Sequence, residues 1–182
     1  MNIYNFRILN TDEKNYTSLA EFKNQLLLIT ITAPESNLSL QYTQLSSLYE
    51  KFHNRGFTIL DFPCNQFSRT ARGTSEEINE RIIRRYHTGF PRFARIAVSG
   101  TDGIPLFRYL NMEKPFQGFN RNTPTGQMLH ETLIKFDPDY EARGGIVWEF
   151  TKFLISRKGE VLQRFEPDAD FAEIADAIEK VL

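Results

Sequence analysis

Two stretches of the chain are apolar almost without interruption, LLLITIT (Leu26–Thr32) and FTILDF (Phe57–Phe62). Runs of this length, rich in β-branched and aromatic residues, predict strands buried on both faces. Ile3 to Leu9, IYNFRIL, alternates apolar and polar residues and predicts a strand, with NTDEKN as the turn after it. Ser18 to Phe22 has the pattern of a short helical turn. Between Leu40 and Phe52 the apolar positions Tyr42, Leu45, Leu48, Tyr49 and Phe52 follow helical spacing, and Gly56 supplies the stop. Thr74 with Glu77 forms a capping-box pattern that opens a helix running to about Tyr86. FARIAV (Phe93–Val98) predicts a third strand, and Pro105 suits the first turn of a short helix in IPLFRYL. FTKFLIS and EVLQRFE around RKG predict a hairpin, and Asp170 caps an amphipathic closing helix that ends at Leu182.

Strands that alternate with helices and end in a hairpin predict an α/β fold, a central mixed sheet with helices on both faces. The 182 residues, 41% of them hydrophobic, suit one domain spanning 1–182. The polar segment Asn111–Gly145 stands out as a long insertion loop, with one helix expected in TGQMLHETLIKF.

Composition narrows the function classes. The net charge is −1, so nothing calls for nucleic acid or an anionic membrane as partner. The N-terminus lacks a basic segment followed by an apolar one, and the longest apolar run, Leu26–Ile29, is far too short to cross a bilayer. A soluble, cytoplasmic protein is expected. A single cysteine, Cys64, rules out an intramolecular disulfide and a multi-cysteine metal site. No metal or resident cofactor is expected.

In open α/β sheets, sites form beyond the carboxyl ends of the strands. Here those ends lead into the loops Ala33–Ser39 and Pro63–Gly73, and the strand near Phe150 brings Trp148 and Glu149 to one of its own ends. Cys64 opens the second loop in LDFPCNQFSRT. It is either a small buried hydrophobe or the working thiol. An ordinary thiol titrates near pH ~8.5. FPCNQF holds no Lys or Arg to lower that value, although Arg69 and Arg72 could if the loop folds back.

FPCNQF, the helix and strand LYEKFHNRGFTILDF before it, FPRFARIAVSGTDGIPLFRYL and WEFTKFLISRKGEVLQRFEP together resemble the glutathione peroxidase family, in one consistent order from Ile3 to Leu182. The resemblance implies a thioredoxin-like fold and thiol-dependent reduction of hydroperoxides, with glutathione or thioredoxin as reductant. Its chemistry uses a low-pKa selenol or thiol, surrounded by Gln, Trp and Asn. That nucleophile lies in a stretch resembling N-x-A-S-x-C-G-x-T-x-Q-Y.

In this chain that stretch reads ITAPESNLSLQY. Ala33, Gln41 and Tyr42 match, and the nucleophile position falls on Ser36. Thr70 stands at the Gln position and Glu149 at the Asn position, so only Trp148 is kept of the four. The resolving cysteine that many relatives carry corresponds to Ile82. A serine hydroxyl is not ionised at neutral pH and cannot cycle through a sulfenic acid. Serine nucleophiles need a base and an oxyanion hole and do acyl transfer. No histidine motif (His53, His87, His130) pairs with Ser36. Glu149 would raise the pKa of any thiol beside it.

Three readings follow. The first is a family member with weak or lost peroxidase activity. The second is an active thiol peroxidase that works through Cys64 and an external thiol. The third is a non-catalytic binding module for a thiol peptide or a protein partner. Ser36 reads alternatively as a loop or cap residue, and Trp148 as a ligand platform or as site wall. The resemblance also implies that a long loop at Asn111–Gly145 takes part in oligomer contacts, so a homo-oligomer is an open expectation. The Phe90–Pro91 bond is expected to be cis, as a proline before a strand often is in thioredoxin-like folds. From Arg69 to Arg95 seven Arg stand against three Glu, 7 − 3 = +4. That run is either a solvated helix face, or an anion site for a glutathione-like carboxylate or an acidic protein.

Overall fold

The computed structural model describes residues 2–67 and 69–182. Strands β1 (Arg7–Leu9) and β2 (Tyr16–Ser18) form a small antiparallel pair. The main elements then follow as β3 (Leu26–Thr32), α1 (Gln41–Phe52), β4 (Phe57–Pro63), α2 (Ser75–Tyr86), α3 (Pro105–Glu113), α4 (Pro124–Phe136), α5 (Tyr140–Arg143), β5 (Lys152–Ile155), β6 (Val161–Phe165) and α6 (Phe171–Val181). The main sheet has the order β4-β3-β5-β6. β3 and β4 are parallel, and β5 and β6 complete the sheet antiparallel, so the sheet is mixed.

Side-chain alternation divides β3 between two cores. Leu27, Ile29 and Ile31 join a cluster that includes Leu106, Phe107 and Leu110 of α3. Leu26 and Leu28 join the opposite cluster, built on α1, α2 and α6 through residues such as Leu45, Ile78 and Ile174. All seven residues of β3 and all seven of β4 are buried, as their continuous apolar runs require. A third, smaller cluster of Phe116, Phe119, Leu129 and Tyr140 packs the 111–145 segment onto Trp148. That segment holds the expected helix as α4 and, in addition, the single turn α5.

The capping box at Thr74 and Glu77, the left-handed stop at Gly56 and the Asp170 cap all form as the sequence implies. Three expectations need correction. Ile3–Leu9 is a strand only from Arg7, because Asn2 and Asn5 cap each other around a helical turn at Ile3–Asn5. Phe93–Val98 runs beside β4 and stacks Phe93 on Phe62, but pairs with it only at isolated bridges, where the Phe93 and Ile96 amides donate to the Asp61 and Pro63 carbonyls. Other acceptors capture its amides: Ala94 N–H donates to the Leu9 carbonyl, Arg95 N–H to Ser75 Oγ and Val98 N–H to Gln66 Oε1. The Phe90–Pro91 bond is trans, the form that a tertiary amide favours by about 0.5–1 kcal/mol.

Candidate functional site

The end of β3 delivers Ala33 to Ser39 onto the carboxyl edge of the sheet, beside the loop that follows β4. Glu35 N–H donates to the Thr70 carbonyl at 3.0 Å, which ties the two loops together. The Ser36 side chain does not project into solvent. The residue is 5% exposed, and its Oγ accepts the Leu38 N–H at 3.1 Å. The same hydroxyl lies 3.4 Å from Asn37 Oδ1. This is a local serine turn, the arrangement by which Ser and Thr satisfy a backbone amide before a helix.

FPCNQF acts as a clamp. Asn65 Oδ1 accepts the Ala71 N–H at 3.0 Å and so closes the 65–71 loop. Gln66 Oε1 accepts the Val98 and Ser99 amides at 2.6 and 3.2 Å, while its Nε2 donates to the Ser99 carbonyl. Phe67 stacks on Trp148 with ring centroids 6.2 Å apart. Trp148 is half-buried, and its Nε1 has no hydrogen-bond partner among the described residues. Trp148 therefore forms a wall between the post-β4 loop and the 111–145 cluster.

Next to it the backbone turns sharply, with Phe150 held at φ +67°. A left-handed conformation at an aromatic residue costs of order 1–3 kcal/mol. Burial offsets this cost: Phe150 is fully enclosed, packs edge-on to Tyr42 at 5.4 Å, and donates its N–H to the Ile31 carbonyl at 2.6 Å. The turn places Glu149 inside the protein, fully buried, where its charge acts on Cys64.

Cys64 follows directly on β4 as a core residue, 1% exposed, with its N–H on the Thr32 carbonyl at 2.9 Å. Burial pushes its thiol up to about 11, and Glu149 adds to the rise. The Gln66 and Val98 backbone amides and Arg95 pull the other way without reversing it. The loop does not fold Arg69 and Arg72 onto the thiol. Arg72 Nε instead donates to the Arg69 carbonyl.

The three histidines lie elsewhere. His53 Nδ1 sits on the Tyr49 carbonyl, His87 closes α2, and His130 Nδ1 meets Tyr140 Oη at 2.7 Å. Among the described residues none of them hydrogen-bonds to Ser36, and no cluster suits a metal ion. No described helix is long and apolar enough to cross a membrane. Ile82 is fully buried in the core under α2.

One group beside the site escaped the sequence reading. Lys152 in FTKFLI is fully buried and donates from Nζ to Gln41 Oε1 at 2.8 Å and to the Phe150 carbonyl at 2.6 Å. Gln41 in turn donates to the Pro167 carbonyl at 2.8 Å. Lys152 thus fixes the turn that carries Trp148 and Glu149. The signal was present: a lone cation inside an otherwise apolar strand pattern.

Comparison with known proteins places this geometry in a lineage. The glutathione peroxidase family model matches residues 3–111, more than half of the chain. A glutathione peroxidase homolog BsaA of Halalkalibacterium halodurans is 36% identical over 184 residues, covering 100% of both chains. A hydroperoxy fatty acid reductase, gpx1, of Synechocystis sp. is 36% identical over 180 residues, covering 99% of this chain and 95% of its own. Among solved structures, T. cruzi GPX1 superposes with a TM-score of 0.72 at 26% identity, over 100% of this chain and 96% of that one. A thioredoxin-family thiol:disulfide interchange protein of Chlorobium tepidum superposes with a TM-score of 0.62 at 14% identity, over 97% and 92%, a likeness of fold alone. The chain has the thioredoxin-like fold and belongs to the glutathione peroxidase family.

Proposed function

We propose that this family member does not turn over hydroperoxides by the family's usual route and acts instead by binding, as a module for a thiol peptide or a protein partner. The observation that carries the reading is the state of Ser36. Its hydroxyl, at the family's nucleophile position, is 5% exposed and committed to the Leu38 amide. The family's reaction requires a nucleophile that attacks the peroxide O–O bond, takes up one oxygen and releases an alcohol or water. A serine hydroxyl has neither the thiolate's nucleophilicity nor a sulfenic acid state. Thr70 and Glu149 at the Gln and Asn positions support the same conclusion, because Glu149 disfavours an anion beside it.

The competing reading, Cys64 as a relocated nucleophile served by an external thiol, needs an exposed thiolate. With its thiol pushed up to about 11, only roughly one Cys64 in 10⁴ is ionised at neutral pH. That fraction sits behind a surface that leaves the residue 1% exposed. The test is intact-mass spectrometry after brief treatment of the native protein with hydrogen peroxide, and separately with iodoacetamide. The expected result is no added oxygen and no alkylation in the native state, with full alkylation once the chain is unfolded. Rapid oxygen addition to native Cys64 would restore the thiol-peroxidase reading.

A further inference from the structure

The structure sorts the seven arginines between Arg69 and Arg95. Arg92 is sealed inside against Asp61, Asn79 and Thr88. Arg95 turns to the Gly73 carbonyl at 2.8 Å. Arg81 reaches back to the Arg72 carbonyl, and its Nε stands 3.6 Å from Glu35 Oε1. Arg84 and Arg85 are exposed and, among the described residues, have no carboxylate within ion-pair reach. Arg81, Arg84 and Arg85 line one concavity of about 390 Å³ with Pro34 and Glu35, the residue just before Ser36.

The last turn of a helix favours cations, which accounts for Arg84 and Arg85 as residue types at the end of α2. It does not account for Arg81, a turn earlier, facing the same concavity. Three guanidiniums there are opposed by a single carboxylate, so the concavity carries a net +2. The Pro34 carbonyl is fixed by Tyr86 Oη at 3.2 Å, and the Tyr86 ring stacks on Tyr42 at 4.7 Å, so the floor is rigid. Arg81 also donates to the Arg72 backbone carbonyl, so the post-β4 loop borders the concavity.

We propose that this concavity binds an acidic peptide segment of a partner protein, with successive carboxylates seated on Arg81, Arg84 and Arg85. Guanidinium forks match carboxylates bidentately, which sets this ligand apart from a diffuse counter-ion cloud. Three guanidiniums line one concavity of about 390 Å³, more cations than a single small carboxylate can engage, which favours a chain of acidic residues. The inference deepens the binding reading above and rests on it.

The test is fluorescence anisotropy with a fluorescein-labelled Asp-Gly repeat peptide at fixed ionic strength. Unlabelled single-stranded oligodeoxynucleotide of equal charge serves as competitor. Arg84→Glu combined with Arg85→Glu is expected to weaken peptide binding by about tenfold or more, and Arg84→Lys with Arg85→Lys by a smaller factor. Lys158→Glu, in the β5–β6 turn at the opposite end of the sheet, is expected to change binding less than about twofold. Three results would overturn the proposal: no binding by the native protein, an equal loss in Lys158→Glu, or displacement by the oligodeoxynucleotide at lower concentration than by unlabelled peptide. Hydroperoxide turnover by a protein that still binds the peptide would sink the non-catalytic reading and leave this site standing.

Discussion

Asp61→Ala is expected to lower the unfolding free energy by about 3–5 kcal/mol, because it strands a buried cation. Arg92 Nε lies 2.6 Å from Asp61 Oδ2, with the two side chains 2% and 0% exposed. The remaining guanidinium nitrogens donate to Asn79 Oδ1 at 2.8 Å and Thr88 Oγ1 at 2.9 Å, and Thr32 Oγ1 donates to Asp61 Oδ1 at 2.5 Å. The pair therefore links β3, β4, α2 and the 88–92 segment in one closed network. Removal of the carboxylate leaves Arg92 without its counter-charge and Thr32 without its acceptor. Arg92→Ala should cost a similar amount. The double variant Asp61→Leu, Arg92→Met should cost clearly less than the two singles added, since it leaves no orphaned charge. Urea denaturation of the four proteins checks this. A loss below about 1 kcal/mol in both singles would mean that the network is not closed as described.

The second large effect is a pH dependence centred on Lys152. Burial pulls its amine down to about 7, while Glu166 and Asp168 oppose the shift. In the unfolded chain a lysine titrates near ~10.4. Between these values the unfolded state holds a proton that the folded state has released. Stability contributed by this site therefore rises with pH across that window and is smallest below pH 7. The slope approaches about 1.4 kcal/mol per pH unit. Other groups titrate in the same range, and Cys64 works in the opposite direction as its thiol ionises only in the unfolded chain. The informative quantity is the difference between the native protein and Lys152→Met. From pH 7 to pH 9 that difference should move by about 2 kcal/mol in favour of the native protein. Parallel pH profiles would show that Lys152 stays protonated in the fold.

Much of this fold is visible in the chain, for identifiable reasons. Leu26–Thr32 and Phe57–Pro63 are covered on both faces, the second although it is an edge strand of the sheet, so their continuous apolar runs read directly as strands. Thr74, Gly56 and Asp170 are local devices whose effect does not depend on distant residues. Phe93–Val98 has a strand's composition but a different outcome, because its amides are captured by Ser75, Gln66 and Leu9, partners that only tertiary structure supplies. Arg92 falls in a run that reads as a solvated helix face or an anion site until the fold supplies Asp61.

The site shows the same division. The meeting of the loops after β3 and β4, with Glu35 N–H on the Thr70 carbonyl, was legible from the order of the elements, whereas the proximity of Glu149 to Cys64 was not. The burial of Ser36 and its bond to the Leu38 amide were legible only as one of two readings. The use of Gln66 as a clamp on Val98 and Ser99 was not legible at all, since nothing in FPCNQF names a partner thirty residues on.

The measurement that bears most directly on the central claim is hydroperoxide turnover. Purified protein is mixed with hydrogen peroxide or an organic hydroperoxide, with glutathione in one series and a thioredoxin system in another, and Cys64→Ser is run alongside. Neither protein is expected to consume peroxide above the rate of the reductant alone. Turnover that is present in the native protein and vanishes in Cys64→Ser would contradict it and make this chain a thiol peroxidase with a relocated nucleophile.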